Sequence, residues 1–237
     1  NGLITSYLAV ANNVTSDDCK KILDGNAKVL NARLSDAEFF WQNDVNFIKE
    51  HGFLKMGDPL QTVVFHNRLG SQAERVTRIT DLSSLIAELI GAERNDARKA
   101  ASVCKSDLVS EMVYEFPELQ GLMGGYFSTY QGFDKDISLA ITEQYLPIGL
   151  DSQVPKKPFS VALSITDKLD TIVGFFGINE KPTSSKDPLA LRRTALGIIR
   201  TIIENKKNLR LNDLLNYSSS LYEDQGYNLI NKDLQKE

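Results

Sequence analysis

Apolar residues recur along this chain at helical intervals almost from end to end. In residues 71–91, Val76, Ile79, Leu82, Leu85, Ile86, Leu89 and Ile90 return at threes and fours, the period of a helix with one buried face. Ser71 and Glu74 stand before that run at capping-box spacing, where each side chain serves a backbone N–H of the helix start. Residues 159–176 carry Phe159, Ala162, Leu163, Ile165, Thr166, Leu169, Ile172, Val173 and Phe176, apolar on nearly every side. A helix of that kind belongs at the centre of a core. Asp167, Lys168 and Asp170 are set into it.

The remaining elements follow from punctuation. Thr15 and Asp18 predict a helix start, with Ile22, Val29 and Leu30 on its apolar face and Gly25 weakening it midway. Ser35 and Glu38 repeat the box and predict a second helix bearing Ala37, Phe39, Phe40, Trp41, Val45 and Ile48. Phe40 and Trp41 cannot share one narrow stripe, so packing on two sides is expected. Asp58-Pro59 predicts a short helix with Leu60, Val63 and Val64, ending at Gly70. Ala97, Ala100 and Ala101 permit close helix approach, and Leu108, Met112 and Val113 form the next face. Pro117 with Glu118 marks a new start, while Gly121, Gly124 and Gly125 imply an irregular or very tightly packed segment. A helix over 136–146 precedes a turn-rich connection over 149–158.

Residues 181–186 are a polar link, after which Asp187-Pro188 caps a helix with Leu189, Ala195, Leu196, Ile199, Ile202 and Ile203. Asn212 caps a last helix with Leu214, Leu215, Leu221 and Tyr222. Residues 3–10 are β-leaning and have no strand to pair with. The expectation is a mainly α bundle of eight or more helices.

Composition narrows the class without naming a chemistry. The chain has 237 residues and two cysteines, Cys19 and Cys104, in unrelated contexts, which suits a reducing cytosol better than a disulfide framework. No apolar run approaches the 18 or more residues of a membrane span. The opening Asn1-Gly2-Leu3 suggests a processed chain or an excised piece, and the other end is polar with no natural-looking stop. Net charge is −4 overall, yet residues 181–210 hold eight basic and two acidic side chains, about +6 locally. An acidic body with one basic segment suits an anionic partner.

No phosphate-binding glycine loop, zinc-spaced cysteine set, serine elbow or His-Glu helical motif is present. His66, Asp107, Asp167 and Asp170 invite comparison with helical metal-dependent phosphohydrolases. Only two histidines exist, however, and the region that should supply a ligand reads Cys104-Lys105-Ser106-Asp107, where the lysine would repel a cation. Asp167 and Asp170 need partners if buried. Arg192 shares a side with Leu196, Ile199 and Ile203, so it is expected to lean inward and pair with one of them. Arg193, Arg200 and Lys207 recur at sevens on roughly the opposite side, a basic stripe suited to phosphates or to plain solvent.

Several strings, in order, resemble the β subunit of bacterial tetrameric glycyl-tRNA synthetase. They are Gly25-Asn26 with residues 29–40, Phe65-His66-Asn67-Arg68-Leu69-Gly70, Ser106-Asp107-Leu108 with residues 112–121, Met123-Gly124, Asp167-Lys168-Leu169-Asp170 with Gly174-Phe175-Phe176-Gly177, and residues 186–193. The resemblance implies a central fragment of a longer subunit, containing a helical module related to the His-Asp (HD) phosphohydrolase fold that has lost its metal ligands. On that basis residues 1–50 end a preceding domain or form linker helices, 51–210 are the HD-like domain, and 211–237 lead toward an anticodon-binding region. It further implies a cytoplasmic glycine–tRNA ligase whose α subunit holds the aminoacylation site. The complete enzyme would use ATP and Mg, with no catalytic residue, cofactor or metal in this fragment. The expected partners are the α subunit and tRNA(Gly), with no membrane. Asp36, Glu38, Glu115, Asp167, Asp170, Arg192 and Arg193 are the positions it marks as structural. The alternatives are a metal-dependent phosphohydrolase and a purely architectural interface module.

Overall fold

Helix α8 (Pro158–Gly177) is the axis of the molecule, and the all-round apolar run of the sequence explains why: fifteen of its twenty residues are buried. The computed structural model describes residues 6–12, 16–149 and 151–229. Among them are ten α-helices and one two-stranded sheet, so the chain is mainly α as expected. Before α8 come α1 (Lys20–His51), α2 (Phe53–Met56), α3 (Gln72–Leu89), α4 (Arg94–Val103), α5 (Glu111–Glu115), α6 (Leu122–Tyr130) and α7 (Lys135–Glu143). After it come α9 (Leu191–Glu204) and α10 (Leu211–Asp224). Among the described residues, no helix is long and apolar enough to cross a membrane.

Three apolar clusters surround α8. One gathers Ile48, Phe53, Ala100, Ala101, Phe127, Ile141 and Leu163. A second joins Leu82 and Ile86 of α3 to Val161, Ile165 and Leu169 of α8, with Ile198 and Leu214. The third closes the far end of α8 with Leu69, Val173, Tyr222 and Leu229. The capping box at Ser71 and Glu74 is formed as the spacing predicts, and the alanine face of α4 is fully inside. The glycines of α6 are packing devices rather than breaks. A Cβ at Gly125 would lie 1.8 Å from the Thr142 hydroxyl oxygen of α7, so only glycine permits that approach.

Three expectations are corrected. The two helices placed on either side of Ser35 are one 32-residue helix, because an interior serine costs a few tenths of a kcal/mol, less than a break. Its start follows Asp18 and Cys19 at positive φ, and Asp17 accepts the Lys21 N–H; Thr15 lies outside the described residues. Phe40 and Trp41 are both half-buried, Trp41 stacking on Phe127, and they share one stripe with the buried Asp44, Val45 and Ile48, so this helix packs on one side here. Second, the short helix expected to run to Gly70 is a single 3-10 turn, Asp58–Gln61, followed by a hairpin of β1 (Val64–His66) and antiparallel β2 (Gly70–Ser71). β-branched Val63 and Val64 favour the extended chain, and Gly70 turns at φ 86°. Third, Asn212 does not cap α10, which begins one residue earlier behind Arg210. Of the β-leaning opening, residues 3–5 lie outside the described residues and 6–10 are in no strand.

Candidate nucleic-acid interface and the buried charges behind it

The carboxylates that interrupt α8 are met by cations from α3. Arg75 and Arg78 sit three apart on α3, Asp167 and Asp170 three apart on α8, and the two pairs face each other. Arg78 donates from Nε to Asp170 Oδ1 at 2.7 Å and from Nη2 to Oδ2 at 3.3 Å, a two-point pairing with both side chains 1 % exposed. The Arg78 guanidinium also lies 3.7 Å from the centre of the Tyr222 ring. Arg75 Nη2 donates to Asp167 Oδ1 at 3.0 Å and to Thr171 Oγ1 at 2.8 Å. Lys105 Nζ closes the group, 2.7 Å from Asp167 Oδ1 and 3.0 Å from the Tyr145 hydroxyl. Burial alone would raise the Asp167 carboxyl; Lys105 and Arg75 outweigh it and hold the group at about 2.

Arg192 is not the partner of these carboxylates. Its guanidinium is exposed and donates to the Thr183 carbonyl oxygen at 2.7 Å. The sequence did hold the signal for the true partners: Arg75 and Arg78 lie on the face of α3 that carries Ile79, Leu82 and Ile86. Charges on a core-facing stripe require buried counter-charges. Lys105, seen in the sequence only as a residue that would repel a metal ion, is itself a cation on Asp167.

The other groups that a metal site would recruit are engaged elsewhere. Asp107 Oδ2 accepts the Gly121 and Gly124 N–H groups at 2.5 and 3.0 Å, and burial raises its pKa despite those bonds. His66 packs edge-on against Phe175 and accepts the Arg68 N–H at 3.2 Å. Among the described residues no group of three or more His, Cys, Asp or Glu could hold a metal ion. Cys104 is buried, its thiol pushed up to about 12 by burial, which leaves no thiolate for nucleophilic work at neutral pH.

Beside this network lies α9, joined to α8 through Lys168. The Lys168 ammonium donates to the carbonyls of Leu146 (2.6 Å) and Gln144 (3.3 Å) and to Ser164 Oγ (3.0 Å), and burial lowers it to about 8. Its stem packs against Gly197. α9 begins at Leu191 behind Ala190 at positive φ, later than the start expected at Asp187-Pro188, and Leu189 lies outside it; Asp187 still holds that start, accepting the Leu191 and Arg192 N–H groups at 2.8 and 3.0 Å. The helix is turned differently from the sequence expectation. Leu191, Gly197, Ile198 and Thr201 face inward, while Leu196, Ile199 and Ile203 face out.

The basic stripe is correspondingly divided. Arg193 is exposed at the border of two adjoining crevices. One, of about 420 Å³, is lined by Pro147, Ala190, Arg192, Leu196 and Arg200 among others. The second, of about 330 Å³, is lined by Gln120, Tyr145, Asp167, Lys168 and Thr194 among others. Arg200 is not free in solvent. It donates to the Gly149 and Ser152 carbonyls at 3.0 Å each and pairs with Glu204. Lys207 is half-buried beyond the end of α9.

Sequence comparison gives this arrangement a context. Residues 1–236 match the family described as glycyl-tRNA synthetase beta subunit. The chain belongs to that family. It is 48% identical over 219 residues to the glycine–tRNA ligase beta subunit of Dinoroseobacter shibae, covering 92% of this chain and 30% of that protein. The beta subunits of Rickettsia peacockii and Pseudomonas fluorescens are 45% identical over 223 residues and 44% identical over 220. These alignments cover 94% and 93% of the chain, and 32% and 31% of the two relatives. The chain therefore spans about a third of the length of these relatives.

The strings that carry the likeness to glycyl-tRNA synthetase β subunits are joints of the fold. Glu115 pairs with Arg33 of α1, whose guanidinium also lies 5.0 Å from the Phe116 ring centre. Residues 65–70 make the hairpin whose Phe65 covers Arg75 at 4.2 Å. Residues 186–193 make the Asp187-capped start of α9. Asp36 and Glu38 are exposed on α1.

Proposed function

We propose that this chain serves the attachment of glycine to tRNA as the tRNA-contacting and subunit-supporting part of a glycine–tRNA ligase β subunit. In this reading the chemical step takes place on a partner α subunit, with ATP and Mg, in the cytoplasm, and tRNA(Gly) is the nucleic-acid substrate. Residues 51–210 act as an HD-like helical body, and the α8 carboxylates keep it rigid.

The observation that carries the RNA part is Arg193, an exposed guanidinium between two crevices with no salt bridge to any described residue. Guanidinium groups so placed bind phosphate oxygens at two points. Phosphate contacts release counterions, so tRNA affinity should fall steeply with salt. The test is tRNA binding by the assembled ligase across a salt series. Arg193→Ala is expected to weaken binding and to reduce the slope of log affinity against log salt by about 1. Unchanged affinity and slope would remove Arg193 from the interface.

A further inference from the structure

Helix α9 is apolar on two sides, and only one of them is used by the fold. Leu191 and Ile198 are buried, whereas Leu196, Ile199 and Ile203 are 49, 44 and 67 % exposed. Their spacing of three and four places them in one stripe, with Arg192 a turn before Leu196. Contiguous exposed aliphatic side chains within a polar rim mark a contact surface rather than ordinary solvent-facing helix.

The border of the stripe is basic and uncompensated. Lys186, Arg192, Arg193 and Lys206 are exposed, and none is in a salt bridge with a described residue. The two acidic residues of 181–210 are turned to other tasks: Asp187 caps α9, and Glu204 pairs with Arg200 and Lys156. A nucleic acid would answer the cations but not the leucine and isoleucines, which offer neither an aromatic face for base stacking nor a hydrogen bond for base recognition. A helix carrying apolar side chains at intervals of three and four, with Asp and Glu along its flanks, would answer both.

We propose that the outward face of α9, formed by Leu196, Ile199 and Ile203 and bordered by Arg192 and Arg193, docks an acidic amphipathic helix from a separate protein chain. The inference rests on the ligase-subunit reading, because the assembled ligase is where that chain is met. It assigns Arg192 and Leu196, with the crevice they line, to protein contact and leaves to RNA the second crevice beside Arg193, lined by Tyr145, Lys168 and Thr194.

The test is a photo-crosslinking amino acid at position 199 or 203 in the ligase assembled from co-expressed subunits, with and without tRNA. The expected product is a cross-link to a peptide of another chain, rich in Asp and Glu and with apolar residues at helical spacing, formed whether or not tRNA is present. The double variant Ile199→Asp, Ile203→Asp is expected to weaken assembly on the order of 10-fold or more, as loss of a central apolar contact does. Its helix content and melting temperature should stay near wild type. A cross-link to tRNA, a cross-link to the same polypeptide, or no cross-link from an active and fully assembled ligase would each overturn the docking proposal. The last outcome leaves the ligase reading standing. Absence of tRNA binding by an assembly that still cross-links to the acidic helix would instead count against the RNA reading alone.

Discussion

Helices α8 and α9 lie side by side, and each combines aliphatic residues with charges, but they use them in opposite ways. In α8 the charges are inside. Asp167 and Asp170 are locked to Arg75, Arg78 and Lys105, and the ammonium of Lys168 is shared among backbone carbonyls. In α9 Arg192 and Arg193 are outside, and half of the aliphatic side chains are outside with them. A buried ion pair contributes geometry more reliably than net stability, because desolvation offsets most of the attraction. An exposed apolar stripe contributes little to either. The contrast assigns α8 to holding the body together and leaves α9 as the helix on which the two proposals above rest.

The largest break in that contrast is expected inside α8. Asp170→Ala leaves the Arg78 guanidinium buried beneath Tyr222 with only Gln225 as a charge-neutral partner. Stranding one member of a buried pair costs about 3–5 kcal/mol, which urea denaturation would read as a lowered midpoint. A change below about 1 kcal/mol would mean that the Asp170–Arg78 pairing carries no special weight.

Next in size is the pH response of Lys168. Its folded pKa is about 8, lowered from 10.5 chiefly by burial. Between those values the unfolded chain holds more protons than the native one, so stability should rise with pH through that window, by roughly 3 kcal/mol if the other groups stay constant. Below about 8 the unfavourable burial of the charge is constant. The measurement is the difference between wild type and Lys168→Met: the variant should lack the rise from pH 8 to 10.5. Parallel profiles for the two proteins would place the charge of Lys168 in solvent-like surroundings.

The same two helices show what could be seen in the sequence. The period of α8 has no polar face, so burial on all sides followed directly from it. For α9 the period identified a helix but not its orientation, because Leu191, Ala195, Ile198 and Ile202 make one apolar side while Leu196, Ile199 and Ile203 make another. Choosing the second as the inner side turned Arg192 inward and paired it with the wrong carboxylates. The correct partners lay 92 residues earlier in sequence, and the α3 stripe announced them through two arginines among aliphatic residues. The hairpin at 64–71 was missed for a different reason: Asp58-Pro59 is a strong helix-start signal, and its turn is complete within four residues. The crevices beside Arg193 come from residues 145–149 packing near α9, which periodicity within one helix does not encode.

The smallest expected effect is the sharpest test of the comparison. In α8, Leu169 is 2 % exposed, and truncating it to alanine should cost the 2–5 kcal/mol typical of a core cavity. Replacing Ile203 of α9 by serine removes as many side-chain carbons from a residue that is 67 % exposed. Surface substitutions of this kind stay within about 0.5 kcal/mol. Thermal unfolding of the isolated chain should therefore leave Ile203→Ser close to wild type while Leu169→Ala melts far lower. If Ile203→Ser destabilises the isolated chain by more than about 1 kcal/mol, its side chain is packed within the fold, and the outward stripe of α9 loses the residue at its C-terminal end. If the variant is neutral, the stripe is dispensable to folding, and an aliphatic run bordered by unpaired cations is then explained by what it contacts rather than by what it holds up.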